Sequence, residues 1–153
     1  MNGAGSAAQG ASVTVLAFDF GEKRVGVAVG ETALKSAHAL TVIAAEDSDT
    51  RFDAIAALVR EWRPGLLVVG LPAHPDGTEH EVSRLARRFA RRLEGRFGIR
   101  TVLVDERYSS ASAESALRAQ GLSGERVKTA LDAAAATEIL RTYFEAAPGV
   151  SQM

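Results

Sequence analysis

The stretch Val15–Gly30 reads VLAFDFGEKRVGVAVG, two apolar runs on either side of Gly21-Glu22-Lys23-Arg24. Two β-forming runs joined by a short polar segment with a glycine predict a β-hairpin. One residue is out of place. Asp19 puts a carboxylate inside a run that otherwise reads as buried core. Such a charge is costly unless something compensates it, and a metal ion is one candidate. The plainer alternative is an acid that caps the hairpin and finds its partners there.

Working outward, strands are expected over Val13–Phe20, Val25–Val29 and Ala37–Ile43. Asp49–Trp62 has helical spacing, with Phe52, Ile55, Ala56, Val59 and Trp62 on one face. Pro64-Gly65 breaks it, and Leu66–Gly70 (LLVVG) is the continuous apolar run of a strand covered on both faces. The segment PAHPDGTEH reads as a loop, and Thr78-Glu79-His80-Glu81 matches a capping box that starts a helix at Thr78. That helix sets Val82, Leu85, Ala86, Phe89, Ala90, Leu93 and Phe97 on one arc. Arg84, Arg87, Arg88, Arg91 and Arg92 lie on the other. Ile99–Val104 is a further buried strand, Ser110–Gln120 a short helix stopped by Gly121, and Lys128–Glu145 a long Ala-rich helix. The order implies an α/β fold: a five-stranded mixed sheet, three antiparallel strands then two parallel, with helices on both faces and the first strand central.

The totals limit the function classes. A chain of 153 residues, 46% apolar, suits one compact domain. The expected division is a flexible leader over 1–12, a single domain over 13–146 and a flexible tail over 147–153. Formal charge is −1, so any polyanion site must be a local patch. There is no cysteine, which excludes disulfides and thiolate metal sites and fits a reducing cytosol. The N-terminal residues lack the basic start and apolar block of a signal peptide, and no apolar run approaches the roughly 20 residues needed to span a bilayer. These features predict a cytoplasmic protein without a membrane partner.

Two more acids share the awkwardness of Asp19. Asp105-Glu106 closes a buried strand at its carboxyl end, where open α/β sheets hold ligands. Asp132 lies on the helix face shared by Ala135, Ala136, Ile139 and Tyr143, away from Glu138, Arg141 and Glu145. Converging carboxylates suit Mg²⁺ or Mn²⁺, and two such ions roughly 3.5–4 Å apart serve phosphodiester cleavage. A helix-start acid is the simpler account of Asp132 alone. If one strand separates the first strand from the one ending in Glu106, the gap to bridge is roughly 10 Å.

The blocks LAFDFGEKRVGVAV, VVGLPAHPDGTEH, VDERYSSASAE and KTALDAAAATEIL, in this order, resemble the YqgF-type (RuvX-type) nucleases, relatives of Holliday junction resolvases. The resemblance implies an RNase H-like fold and metal-dependent phosphodiester hydrolysis, the family's proposed task being the 5′ end of pre-16S ribosomal RNA. It also implies that Asp19, Glu106 and Asp132 are the acidic triad holding two Mg²⁺ or Mn²⁺ ions. Gly21, Lys23 and Arg24 match its phosphate-facing turn. Gly70, Leu71, Pro72, Asp76, Gly77 and Thr78 match its second block, and Arg107 follows the motif glutamate. Lys128, one turn before Asp132, could approach substrate phosphate or simply begin a helix. Gly30-Glu31 stands where the family commonly has Ser-Asp, offering a longer fourth acid. Ala73-His74-Pro75 and Tyr108-Ser109-Ser110 also depart from its pattern.

Other features carry two readings each. The arginine arc could contact a phosphate backbone, or be a solvated face. His74, Asp76 and His80 could bind a transition metal, or be exposed loop residues. The partner implied is nucleic acid, either pre-rRNA or branched DNA. A resolvase needs paired cuts and hence a symmetric dimer, so monomer and homodimer both stand. A non-catalytic binding module would have little reason to keep all three acids. The sugar-kinase, actin and chaperone superfamily shares the core but needs two lobes around a nucleotide.

Overall fold

The computed structural model describes residues 12–72, 81–106 and 125–146, with backbone alone at 72, 106 and 125–132. Eight elements follow in chain order: β1 (Thr14–Phe20), β2 (Val25–Glu31), β3 (His38–Ile43), α1 (Ser48–Trp62), β4 (Leu66–Pro72), α2 (Glu81–Phe97), β5 (Thr101–Glu106) and α3 (Glu125–Ala146). The sheet order is β3-β2-β1-β4-β5. The hairpin pairs β1 antiparallel to β2, from Thr14 opposite Glu31 to Phe20 opposite Val25. β3 continues antiparallel on β2, while β4 runs parallel to β1, and β5 parallel to β4. The mixed five-stranded sheet with a central first strand is therefore the one the sequence pattern implies.

Strand alternation divides the core in two. Leu16, Phe18, Val27, Leu67 and Val69 face α1 and α2, where Phe52, Ile55, Phe89 and Leu93 cover them. Val15, Ala17, Ala28, Val68 and Val102 face α3, where Ala136, Ile139, Leu140 and Phe144 cover them. Full burial of a side chain such as Ile139 or Leu140 contributes about 2 kcal/mol. Burial on both faces explains why β1, β2 and β4 read as continuous apolar runs.

Aromatic packing fixes the α1/α2 layer. Phe89 meets Phe18 edge-on at 5.9 Å and lies 5.2 and 5.8 Å from Phe20 and Phe52. On the other side α3 comes close because β2 presents no side chain at Gly30. A Cβ there would lie 1.8 Å from the Ser36 carbonyl oxygen and 3.0 Å from Leu140.

Boundaries move by a few residues. β4 and β5 extend to Pro72 and Glu106, and α3 starts at Glu125 rather than Lys128. The expected helix over Ser110–Gln120 and the helix start at Thr78 lie outside the described residues, as do the leader up to residue 11 and the tail from 147. Among the described residues no helix is long and apolar enough to cross a membrane.

Candidate active site at the carboxyl end of the sheet

Asp19 is the penultimate residue of β1 and is half-buried. Its odd-numbered neighbours Val15 and Ala17 belong to the α3 side of the sheet, so alternation gives position 19 the same face. On β5, Val102 and Val104 pack on that face, and the same alternation assigns position 106 to it. On α3, Ala136, Ile139 and Leu140 contact the sheet, and position 132 is one turn before Ala136 on that stripe. One face at the carboxyl end of the sheet therefore collects positions 19, 106 and 132.

The register measures the gap between them. Phe18 pairs with Val69, so Asp19 stands level with Gly70, and Gly70 pairs with Val104. Pro72 pairs with Glu106, two residues farther along. β4 thus separates the two acidic strands, about 10 Å at ordinary strand spacing. Gly70 brings no side chain into the lane between them. Among the described residues, no group of three or more His, Asp or Glu is close enough to hold a metal. The side chains of Glu106 and Asp132 lie outside that description. The donor chemistry fits hard divalent cations, since all three groups offer carboxylate oxygens.

The turn after Asp19 is tightly folded. A Cβ on Gly21 would stand 2.6 Å from the Arg24 carbonyl oxygen, so the loop closes where only hydrogen fits. Lys23 is exposed and Arg24 half-buried beside it. Arg107, Asp76 and Thr78, like His74 and His80, lie outside the described residues. Lys128 belongs to the first turns of α3.

Glu31 is not a fourth acid of this site. It pairs across from Thr14, at the amino end of β1, while Asp19 lies at the carboxyl end. Five residues of strand separate the two levels, roughly 16 Å. Glu31 instead accepts hydrogen bonds from the Ser12 and Thr14 hydroxyls, both at 2.8 Å, and braces the start of β1.

The arginine arc of α2 has several jobs rather than one. Arg84 pairs with Glu81, while Arg92 and Arg96 lie over the Phe52 ring at 4.7 and 4.8 Å. Arg87, Arg88 and Arg91 are exposed. Arg51 went unrecognised in the sequence. It is 5% exposed, donates from Nε to the Ala45 carbonyl, and places its guanidinium 5.3 Å over Phe20. Burial pushes its pKa below the usual arginine value, with Glu46, Asp47 and Glu22 pulling the other way. Its position four residues before Ile55, on the apolar face of α1, was the available signal.

Comparison with known proteins gives a consistent result. Residues 13–146 match the family described as "RuvX: Holliday junction resolvase". A protein of Methylobacillus flagellatus is 56% identical over 131 residues, covering 86% of this chain and 90% of the relative. One of Nitrosospira multiformis is 54% identical over 145 residues, covering 95% and 96%. Both bear the name "Putative pre-16S rRNA nuclease". Among solved structures, Thermus thermophilus RuvC in complex with a Holliday junction substrate matches with a TM-score of 0.55 at 17% identity, covering 92% of this chain and 98% of that one. Fowlpox virus resolvase, solved with Holliday junction DNA, matches with a TM-score of 0.54 at 7% identity, covering 88% and 99%. At those identities the likeness is one of fold, and the fold is RNase H-like.

Proposed function

The chain belongs to the RuvX Holliday junction resolvase family and is a nuclease acting on nucleic-acid phosphodiester bonds; we propose that it trims the 5′ end of pre-16S rRNA in the cytoplasm. The observation that carries the assignment of the site is Asp19, half-buried at the carboxyl end of the central strand, on the face that α3 covers. In this reading Asp19, Glu106 and Asp132 hold two divalent ions, Mg²⁺ or Mn²⁺. When bound, those ions supply a water of lowered pKa and charge stabilisation at the phosphorus and the leaving oxygen.

The chain's own residues do the rest. Asp19 is anchored in β1, so its carboxylate keeps its position through the reaction and no reorganisation is spent on it. Lys23 and Arg24 neutralise the phosphate beside the cut, and the tight turn at Gly21 lets backbone and strand approach closely. Arg107, Asp76, Thr78 and Lys128 complete the substrate contacts. A single cut of this kind needs only a monomer.

The decisive experiment compares wild type with Asp19→Asn on end-labelled pre-16S leader RNA and on a four-way DNA junction, each with Mn²⁺, Mg²⁺ or EDTA. RNA cleavage that disappears in the mutant and in EDTA is expected, with circular dichroism unchanged. A fully active Asp19→Asn protein would sink the assignment of the site. Paired symmetric cuts in the junction would instead favour branched DNA, which the family's own description suggests, and would require a homodimer.

A further inference from the structure

The opposite face of the sheet has a cavity at the same end of β1, about 290 Å³ in volume. Phe20 and Glu22, which flank Gly21, border it with the starts of α1 and the middle of α2. Three guanidinium groups line it, from Arg51, Arg88 and Arg92, against two carboxylates, Glu22 and Glu46. The balance is one net positive charge.

The three arginines are differently prepared. Arg51 is almost completely buried, and its Nη2 has no hydrogen-bond partner among the described residues. A guanidinium donor taken out of water with no acceptor is costly, so Arg51 gains from an anion that draws its guanidinium toward the cavity it lines. Arg92 is held over Phe52 and donates from Nη1 to the Ser48 hydroxyl at 3.1 Å. Arg88 is exposed and has no ion-pair partner among the described residues. Planar forks fixed in this way match the oxygens of a phosphate. One net charge matches a phosphodiester, which carries one, better than a terminal phosphate, which carries nearly two.

We propose that this cavity binds one backbone phosphate of the nucleic-acid strand, a short distance from the bond being cut and on the other side of the sheet. A strand lying against Asp19 reaches it by passing Lys23 and Arg24, because the turn that carries them continues into its wall. The choice of strand rests on the nuclease reading, while the phosphate chemistry does not.

The test measures binding of a fluorescently labelled single-stranded RNA in EDTA across a series of KCl concentrations. Arg88→Gln is expected to weaken binding about tenfold and to lower the slope of log K against log salt by about 0.7. Arg91→Gln is the control, since Arg91 borders a separate hollow of about 130 Å³ beside β5. It is expected to weaken binding by less than about twofold. Arg51→Lys keeps the charge and loses the fork, and should resemble Arg88→Gln. Because Arg51 is buried, the exposed Arg88 decides the matter if that protein fails to fold.

Equal losses in the Arg88 and Arg91 variants, or none in Arg88→Gln, would overturn the cavity in favour of a diffuse basic face. Inorganic phosphate that binds wild type but not Arg88→Gln, while leaving RNA binding to wild type unchanged, would overturn the strand as occupant. A wild type that binds in this pattern but never cleaves would remove the nuclease reading and leave the cavity standing. Cleavage with no difference among the arginine variants would remove the cavity alone.

Discussion

Gly30 shows how a residue without a side chain can set the position of a helix. Its missing Cβ would sit 1.8 Å from the Ser36 carbonyl oxygen, a backbone atom that cannot step aside, and 3.0 Å from Leu140 on α3. Gly30→Ala should therefore lower unfolding free energy by roughly 3 kcal/mol, measured by urea denaturation. The proposed site should suffer with it, because displacing α3 displaces position 132. Arg51 and Glu31 make the complementary point about charge. Each is an ionisable residue in the described fold, yet one lines a cavity and the other braces a strand start with two hydroxyl contacts. Residue type alone does not separate them; position in the fold does.

At the scale of elements, α1 begins with a clear device. Asp47 accepts a hydrogen bond from the Thr50 backbone N–H at 2.8 Å and caps the helix. That bond lowers the Asp47 pKa below the ordinary 3.8. A carboxyl group depressed in the folded state stabilises the fold above its unfolded pKa, and the contribution fades as pH falls through the folded value. The melting temperature of Asp47→Ala should thus lie below wild type at neutral pH, and the gap should narrow below about pH 3.8. The elements themselves were largely legible in the sequence. The hairpin announced itself through two apolar runs around Gly21, and β4 through LLVVG. Strand ends were harder, because Pro72 and Glu106 look like loop residues and are held in register only by their neighbour across the sheet. The three acids of the proposed site stand out in the sequence as carboxylates beside apolar runs. Arg51 does not, since one charge among the apolar positions of α1 resembles a polar residue at a face boundary until the fold closes over it.

For the whole molecule, the sheet order places Asp19 on the strand with a neighbour on each side and helices above and below. Among the described residues, apolar clusters cover both faces of the sheet, so folding should not depend on metal. Added Mn²⁺ should raise the melting temperature of wild type in step with the logarithm of its concentration, leave Asp19→Asn unmoved, and be reversed by EDTA. An equal rise in both proteins would place the ion elsewhere. The covering of β1 and β2 by α3 has one more consequence, which concerns synthesis. The first two strands are made before the helix that seals their Val15, Ala17 and Ala28, which follows every other described element in the chain. A half-made chain would hold Asp19 without Asp132. If both acids are needed, cleavage has to wait until α3 has been made and has docked on the sheet.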